Sequence, residues 1–306
     1  MEMTKEGAAR DWTLVAAEWS DRTVQVARRA ACLAQQRGER GLLVHFHHYG
    51  LQHLVRGMSA EACARHQRER LEQLAQLVER QTGFLFEVEA HRGAPRSGAE
   101  LCKRFGQARL SVVEGYRAWG PGRHVLRLAP GIAHGAAHPV LMVRRDVAHA
   151  YRRALVLVDP AVSITETLAH LGGVAPGAEI VLLAALERKG ENRLRASGAG
   201  EDRIEASVQQ QREDALQGMG APDGVVRIVE HGYAPTVLQY AERRLQPDLL
   251  VLPNERTARL RRLFLRSLVG EALARSDCDI LALPAGQPDT RSLAAPLRVS
   301  RTDPGE

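Results

Sequence analysis

The chain contains one α/β unit twice, and that duplication constrains its fold more than any single motif does. Displacing residues 93–128 by 139 positions lays them without a gap on 232–267. Gly93 falls on Gly232, the apolar run 110–113 on 249–252, Arg104 on Arg243, Arg117 on Arg256 and Arg127 on Arg266. A repeat of this length is a whole domain rather than a solenoid unit. The 306 residues agree, because about 150 residues per domain predicts two domains, each large enough to bury a core.

The second unit begins at Arg152 and Arg153, and the segment 147–151 ahead of it is too short to act as a flexible tether, so the halves are expected to touch. This predicts a first domain over 1–149, a second over 150–286, and a disordered tail over 287–306, which holds three prolines and little apolar periodicity. No apolar run approaches the roughly 20 residues that span a bilayer, and the opening residues are too charged for a signal-peptide core. The expectation is a soluble, cytoplasmic protein. Cys32, Cys63, Cys102 and Cys278 lie far apart with no CxxC pair, which suits a reduced compartment and core or half-buried thiols better than a disulfide frame.

Charge is uneven along the chain. Residues 1–149 hold 22 Lys and Arg against 15 Asp and Glu, whereas 150–306 hold 20 against 21. The excess in the first half is almost all arginine, interleaved with acids over 65–79 in the manner of a solvated helix face. Neither half carries an aromatic-studded basic strand or a reading motif, so nucleic acid is not an expected partner.

In the second half, 154–158 is a continuous apolar run ending at Asp159, the pattern of a parallel strand covered on both faces. Ser163 and Glu166 form a capping box for a helix that passes Leu168 and Leu171 and stops at Gly172 and Gly173. Strand 180–185, a polar connection 187–200, and a helix carrying Ile204, Val208 and Ala215 follow. After strand 225–229, Pro235 and Thr236 open a helix with Val237, Ala241 and Leu245 inward. Strand 249–252, a helix over 267–275 and strand 279–283 complete the order. The first half repeats it: strands at 12–17, 42–47, 84–90, 110–113 and 140–143, a helix capped by Ser20, a long helix capped by Ser59, and a third over 99–105. Pro130 and Gly131 disrupt the place of its fourth helix. Alternating strands and helices give a doubly wound parallel sheet in each half.

These landmarks resemble the universal stress protein family, and specifically its tandem two-domain members, over nearly all of 11–285. The resemblance is carried by VLVD ending at Asp159, GAEIVLL at 177–183, DLLVLP at 248–253, VGEAL at 269–273 and CDILAL at 278–283. In the first half Glu18 stands for the strand-one acid, His45 falls where the family often has a strand-two histidine, and HPVLMV stands for strand five. The resemblance implies two five-stranded domains of flavodoxin-like layering, in the style of the adenine-nucleotide α-hydrolases, related by pseudo-two-fold symmetry. Single-domain relatives commonly meet through strand five, so pairing of 140–143 with 279–283 is expected to close both edges within one chain. A further homodimer stays open.

ATP-binding members of that family carry G-x2-G-x9-G-[ST] after strand four, because glycines let backbone amides reach the phosphates and the hydroxyl caps the receiving helix. In the second half those positions are Asn254, Thr257, Ser267 and Leu268, with the spacing kept and every glycine gone. In the first half they are Gly115, Ala118, Leu128 and Ala129, and Pro121 removes a donor from the loop. Asp159 fits the acid that contacts nucleotide in binding members. No cofactor is therefore expected, with ATP as the alternative.

Arg256, Arg259, Arg261, Arg262 and Arg266 crowd the place where a phosphate would lie. They read either as guanidinium forks that replace the lost nest or, preferably, as a solvated linker. His45, His47, His48 and His53 cluster at the end of strand two and His91 at the end of strand three. His45, His47 and His91 are the candidate Zn²⁺ ligands, although strand-end histidines without a metal are the preferred reading. No nucleophile elbow, Walker loop or dinucleotide fingerprint occurs, so no enzyme reaction is expected. The resemblance thus implies a non-enzymatic intracellular stress-response protein that acts on protein partners. The alternative is a nucleotide or polyanion binder, with weak ATPase activity as its extreme, using Asp159, Asn254, Arg256, Thr257, Arg259 and Ser267.

Overall fold

The computed structural model describes residues 11–47, 59–92, 108–115, 138–146, 149–159, 164–186, 191–222, 224–252, 272 and 275–284. The chain divides into two compact units, Met1–Ala148 and His149–Glu306.

In the first unit β1 (Trp12–Ala16), β2 (Arg40–His47), β3 (Phe86–Arg92), β4 (Ala108–Glu114) and β5 (Val140–Val143) pair in parallel, in the order β3-β2-β1-β4-β5. Leu14, Val15, Leu43, Leu110, Val112, Leu141 and Met142 are buried because helices cover a parallel sheet. Helix α1 (Thr23–Arg37) turns Val26, Ala27, Ala30, Ala31, Leu33 and Ala34 inward, and its alanines let the backbone lie close to the strands. It ends at Gly38, whose φ of 65° allows its N–H to close on the carbonyls of Ala34 and Gln35. Helix α2 (Ala60–Thr82) starts as its sequence predicts: the Ser59 side chain accepts the Ala62 N–H at 3.1 Å. Leu71, Leu74, Ala75 and Val78 form its buried stripe.

The second unit repeats the plan with β6 (Arg153–Val158), β7 (Glu179–Leu186), β8 (Val226–His231), β9 (Leu249–Leu252) and β10 (Asp279–Ala282), in the order β10-β9-β6-β7-β8. Its helices with described bounds are α3 (Thr165–Val174), α4 (Glu191–Ala196), α5 (Glu201–Gly218) and α6 (Ala234–Leu245). The apolar runs of β6, β7, β9 and β10 are buried almost throughout, whereas β8 exposes Val226 and Arg227. Pro235 sits in the first turn of α6, where its missing N–H is no loss.

The displacement that aligns 93–128 with 232–267 also aligns strand bounds outside that segment. Displacement by the same 139 positions carries Arg40–His47 onto Glu179–Leu186 and Val140–Val143 onto Asp279–Ala282, residue for residue. Pairing register extends it to the first strands. Trp12 lies opposite Arg40 as Arg153 lies opposite Glu179, and Thr13 opposite Leu110 as Ala154 lies opposite Leu249. Trp12 and Arg153 therefore hold one place, and Glu18 holds that of Asp159, as the sequence comparison expected.

Local punctuation differs at several points. Ser20 does not cap α1; Arg22 stands at the N-cap without a side-chain bond, and the serine hydroxyl is drawn to Glu114 instead. Gly172 and Gly173 do not stop α3, which continues to Val174, since tertiary burial of Gly172 outweighs a propensity loss of about 1 kcal/mol. The connection 187–200 contains the short helix α4. Strands begin or end up to two residues from the expected positions, the usual uncertainty of element ends. Cys63 and Cys278 are buried free thiols, whereas Cys32 is exposed on α1. Ser163, the helix 99–105, the disrupted region around Pro130 and the tail 287–306 lie outside the described residues, as does Cys102. Only Ala272 and Arg275 of the helix 267–275 are described, both helical.

Candidate functional site

An open parallel sheet leaves a crevice beyond the carboxyl ends of its strands where the strand order reverses, because the connections on either side diverge to opposite faces. In the first unit that place is the β1/β4 boundary; in the second it is the β6/β9 boundary.

In the second unit Asp159 follows directly on the last residue of β6 and is half-buried. It therefore stands at the crevice that its sequence context predicts. Asn254, Arg256, Thr257, Arg259 and Ser267 lie outside the described residues, as do Leu268, Arg261, Arg262 and Arg266.

The first crevice is more fully described. Glu114 ends β4 and is only 3% exposed. Its Oε2 accepts a hydrogen bond from the Ser20 hydroxyl, in the turn between β1 and α1. Its Oε1 is buried with no hydrogen-bond partner among the described residues. The same turn is fastened by Ser20 N–H donating to Thr23 Oγ1 at 2.9 Å and Arg22 N–H donating to Ser20 Oγ at 3.1 Å. Arg22 Nη1 donates to the Arg144 carbonyl at 2.5 Å. The Arg144 stem lies over Gly115, where a Cβ would approach its Cγ to 2.7 Å, so residue 115 has no room for a side chain.

Trp19 adopts φ 57°, uncommon for a residue with a Cβ. Two contacts hold it there: the Arg70 guanidinium lies 4.0 Å from its ring centroid, and the His45 ring meets it at 5.1 Å. His45 is tied down further by a 2.7 Å hydrogen bond between Nδ1 and the Ala17 carbonyl. His91 instead stacks on Phe46 at 5.4 Å, with its Nε2 2.9 Å from Glu89 Oε2. Phe46 is paired with His91 in the β2/β3 register, and successive strand residues face opposite ways, so His45 and His91 lie on opposite faces of the sheet. His45 and His91 thus do not converge on one ion. Among the described residues no group of three potential ligands could hold a metal ion.

Away from the crevice, His138 shares a 2.7 Å hydrogen bond with Ser111 inside the first unit. Burial pushes its imidazole down to about 4. At the opposite end of this sheet Arg37 pairs with Glu39 at 2.6 Å; burial lowers the guanidinium and the carboxylate partly offsets that. Sequence reasoning missed Ser20, Trp19, Arg70 and Glu114 as crevice residues. The one available signal was the displacement itself, which sets Glu114 against Pro253 and so marks it as peculiar to the first copy.

Residues 150–284 match the model of the universal stress protein family. The match falls on the second unit, whose doubly wound sheet is the fold that the resemblance implies for it. A universal stress protein from Archaeoglobus fulgidus has a similar structure, with 17% sequence identity and a TM-score of 0.58, over 90% of this chain and 98% of that one. A functionally unknown protein from Pseudomonas aeruginosa is similar at 16% identity and a TM-score of 0.54, over 90% and 93% of the two chains. At these identities the likeness is one of fold. Among curated proteins none matches the chain significantly. Among the described residues no helix is long and apolar enough to cross a membrane.

Proposed function

We propose that the chain is a tandem universal stress protein, an intracellular stress-response factor that acts by binding protein partners rather than by catalysis, with neither unit a tight ATP site. The observation that carries this reading is the chemistry of the two phosphate-binding positions. In the second unit every glycine of the nest is replaced, by Asn254, Thr257 and Ser267, and Leu268 takes the place of the capping hydroxyl. Thr257 is β-branched and resists the left-handed conformation that brings amides onto phosphate. In the first unit only Gly115 remains, and the Glu114 carboxylate beside it repels an anion. Equilibrium dialysis with labelled ATP at about 100 μM, above the micromolar range of ordinary nucleotide sites, tests it. Stoichiometric retention overturns the reading; retention near zero supports it. Capture of partners from stressed cells then identifies what is bound.

The second reading is a nucleotide or polyanion site in the second unit alone. It is favoured by the position of Asp159 at the β6/β9 crevice, with Arg256, Arg259 and their neighbours supplying guanidinium in place of backbone amides. The two readings differ in whether ATP is retained and in whether Asp159→Ala abolishes that retention.

A further inference from the structure

We infer that the crevice at the carboxyl ends of β1 and β4 binds a small primary ammonium cation through Glu114. Glu114 is the side chain that crosses from β4 to the turn after β1, and it is 97% buried, its residual exposure being 3%. One carboxylate oxygen is occupied by the Ser20 hydroxyl. The other, Oε1, is buried and without a hydrogen-bond partner among the described residues.

The neighbouring cations do not resolve this. Arg22 directs Nη1 to the Arg144 carbonyl, and Glu114 Oε1 has no hydrogen-bond partner among the described residues. A carboxylate removed from water is strongly unfavourable without a partner, and a charged N–H donor is the partner that compensates it best. An ammonium group supplies both the charge and the donor. The same carboxylate excludes phosphate, so the ligand class is cationic, opposite to that of a nucleotide site. The second unit cannot copy the arrangement, because the displacement that equates β4 with β9 places Pro253 where the first unit has Glu114.

Thermal unfolding of the full chain at constant ionic strength tests the inference, with methylammonium, putrescine and Nα-acetyl-lysine methylamide as ligands and tetramethylammonium and inorganic phosphate as controls. The wild type is expected to gain several degrees with the primary ammonium ions at tens of millimolar, and nothing comparable with tetramethylammonium, which has charge but no N–H. Putrescine against the lysine derivative separates a free diamine from a peptide lysine as the source of the group. Glu114→Gln, which keeps the shape and removes the charge, loses the response; Ser59→Ala, at the N-cap of α2 and away from the carboxylate, retains it. Equal responses to methylammonium and tetramethylammonium in the wild type overturn the inference even where Glu114→Gln fails to fold. So does an ammonium response that survives in a folded Glu114→Gln. ATP dialysis can come out either way without bearing on this result.

Discussion

Tyr151 donates its phenolic hydrogen to Asp279 Oδ2 at 2.7 Å, joining the residues that precede β6 to the first residue of β10 across 128 positions of chain. Both are buried, Asp279 completely. The amino end of this sheet is tied in a second place by Asp248, whose two oxygens accept the backbone N–H groups of Arg152 at 2.8 Å and Arg153 at 3.0 Å. Each acid acts on the entry of β6 from a different neighbouring segment, so the register of the strand that leads to Asp159 is set at its start.

Tyr151→Phe keeps the ring and removes the hydroxyl. A buried hydrogen bond to a charged acceptor contributes about 1.5–3 kcal/mol, so a loss of that order is expected in the unfolding of the second unit by urea. A loss below about 0.5 kcal/mol contradicts this assignment.

His138 gives the first unit a dependence on acid. Its folded value of about 4 lies below the ordinary 6.5, so between those limits the unfolded chain takes up a proton that the folded chain does not. Stability contributed by the neutral imidazole is full above pH 6.5, falls as pH drops through the window, and levels off below about 4, a change of about 3 kcal/mol. Urea midpoints of the first unit at pH 7 and pH 5 are expected to show about 2 kcal/mol of it. His138→Gln, which does not titrate, is expected to flatten the slope.

Ser59→Ala removes the oxygen that accepts the Ala62 N–H at the start of α2. Loss of such a cap costs about 1 kcal/mol. Chemical denaturation gives the value, and Ser59→Asp, which can still accept the bond, is expected to restore most of it.

We propose that Arg256, Arg259 and Arg262 do not form an anion site. If Arg256, Arg259 and Arg262 formed an anion site, phosphate-bearing ligands at a hundredfold excess over Kd would stabilise the fold by about 2.7 kcal/mol, and changing all three to Ser would abolish the gain. Melting of wild type and triple variant against nucleotides and phosphate is expected to show little difference at 0.1 M salt, where exposed charges are screened within about 10 Å. A gain of several degrees confined to the wild type would favour the nucleotide reading of the second unit.

Patterned features were legible in the sequence. The buried runs of β5 and β9 coincide with their expected bounds at both ends, because a strand covered on both faces needs an unbroken apolar stretch. Ser59 was legible as a cap because the bond it makes is local. Ser20 has the same chemistry and a similar place before a helix, yet its hydroxyl serves Glu114, 94 residues away. Sequence proximity could not choose between a helix N–H donor and a distant carboxylate acceptor.

The same division holds for the candidate site. The 139-residue displacement, the acids Glu18 and Asp159, and the residue types at 254, 257, 267 and 268 are properties of residue order and type, and the sequence alone determined them. Only the tertiary structure placed Glu114 against Ser20, set His45 and His91 on opposite faces, and packed Arg70 on Trp19. These are contacts between elements far apart in the chain, decided by strand register and by which polar atoms burial leaves without a partner. Neither quantity has a local signature, since each exists only after the sheet has formed.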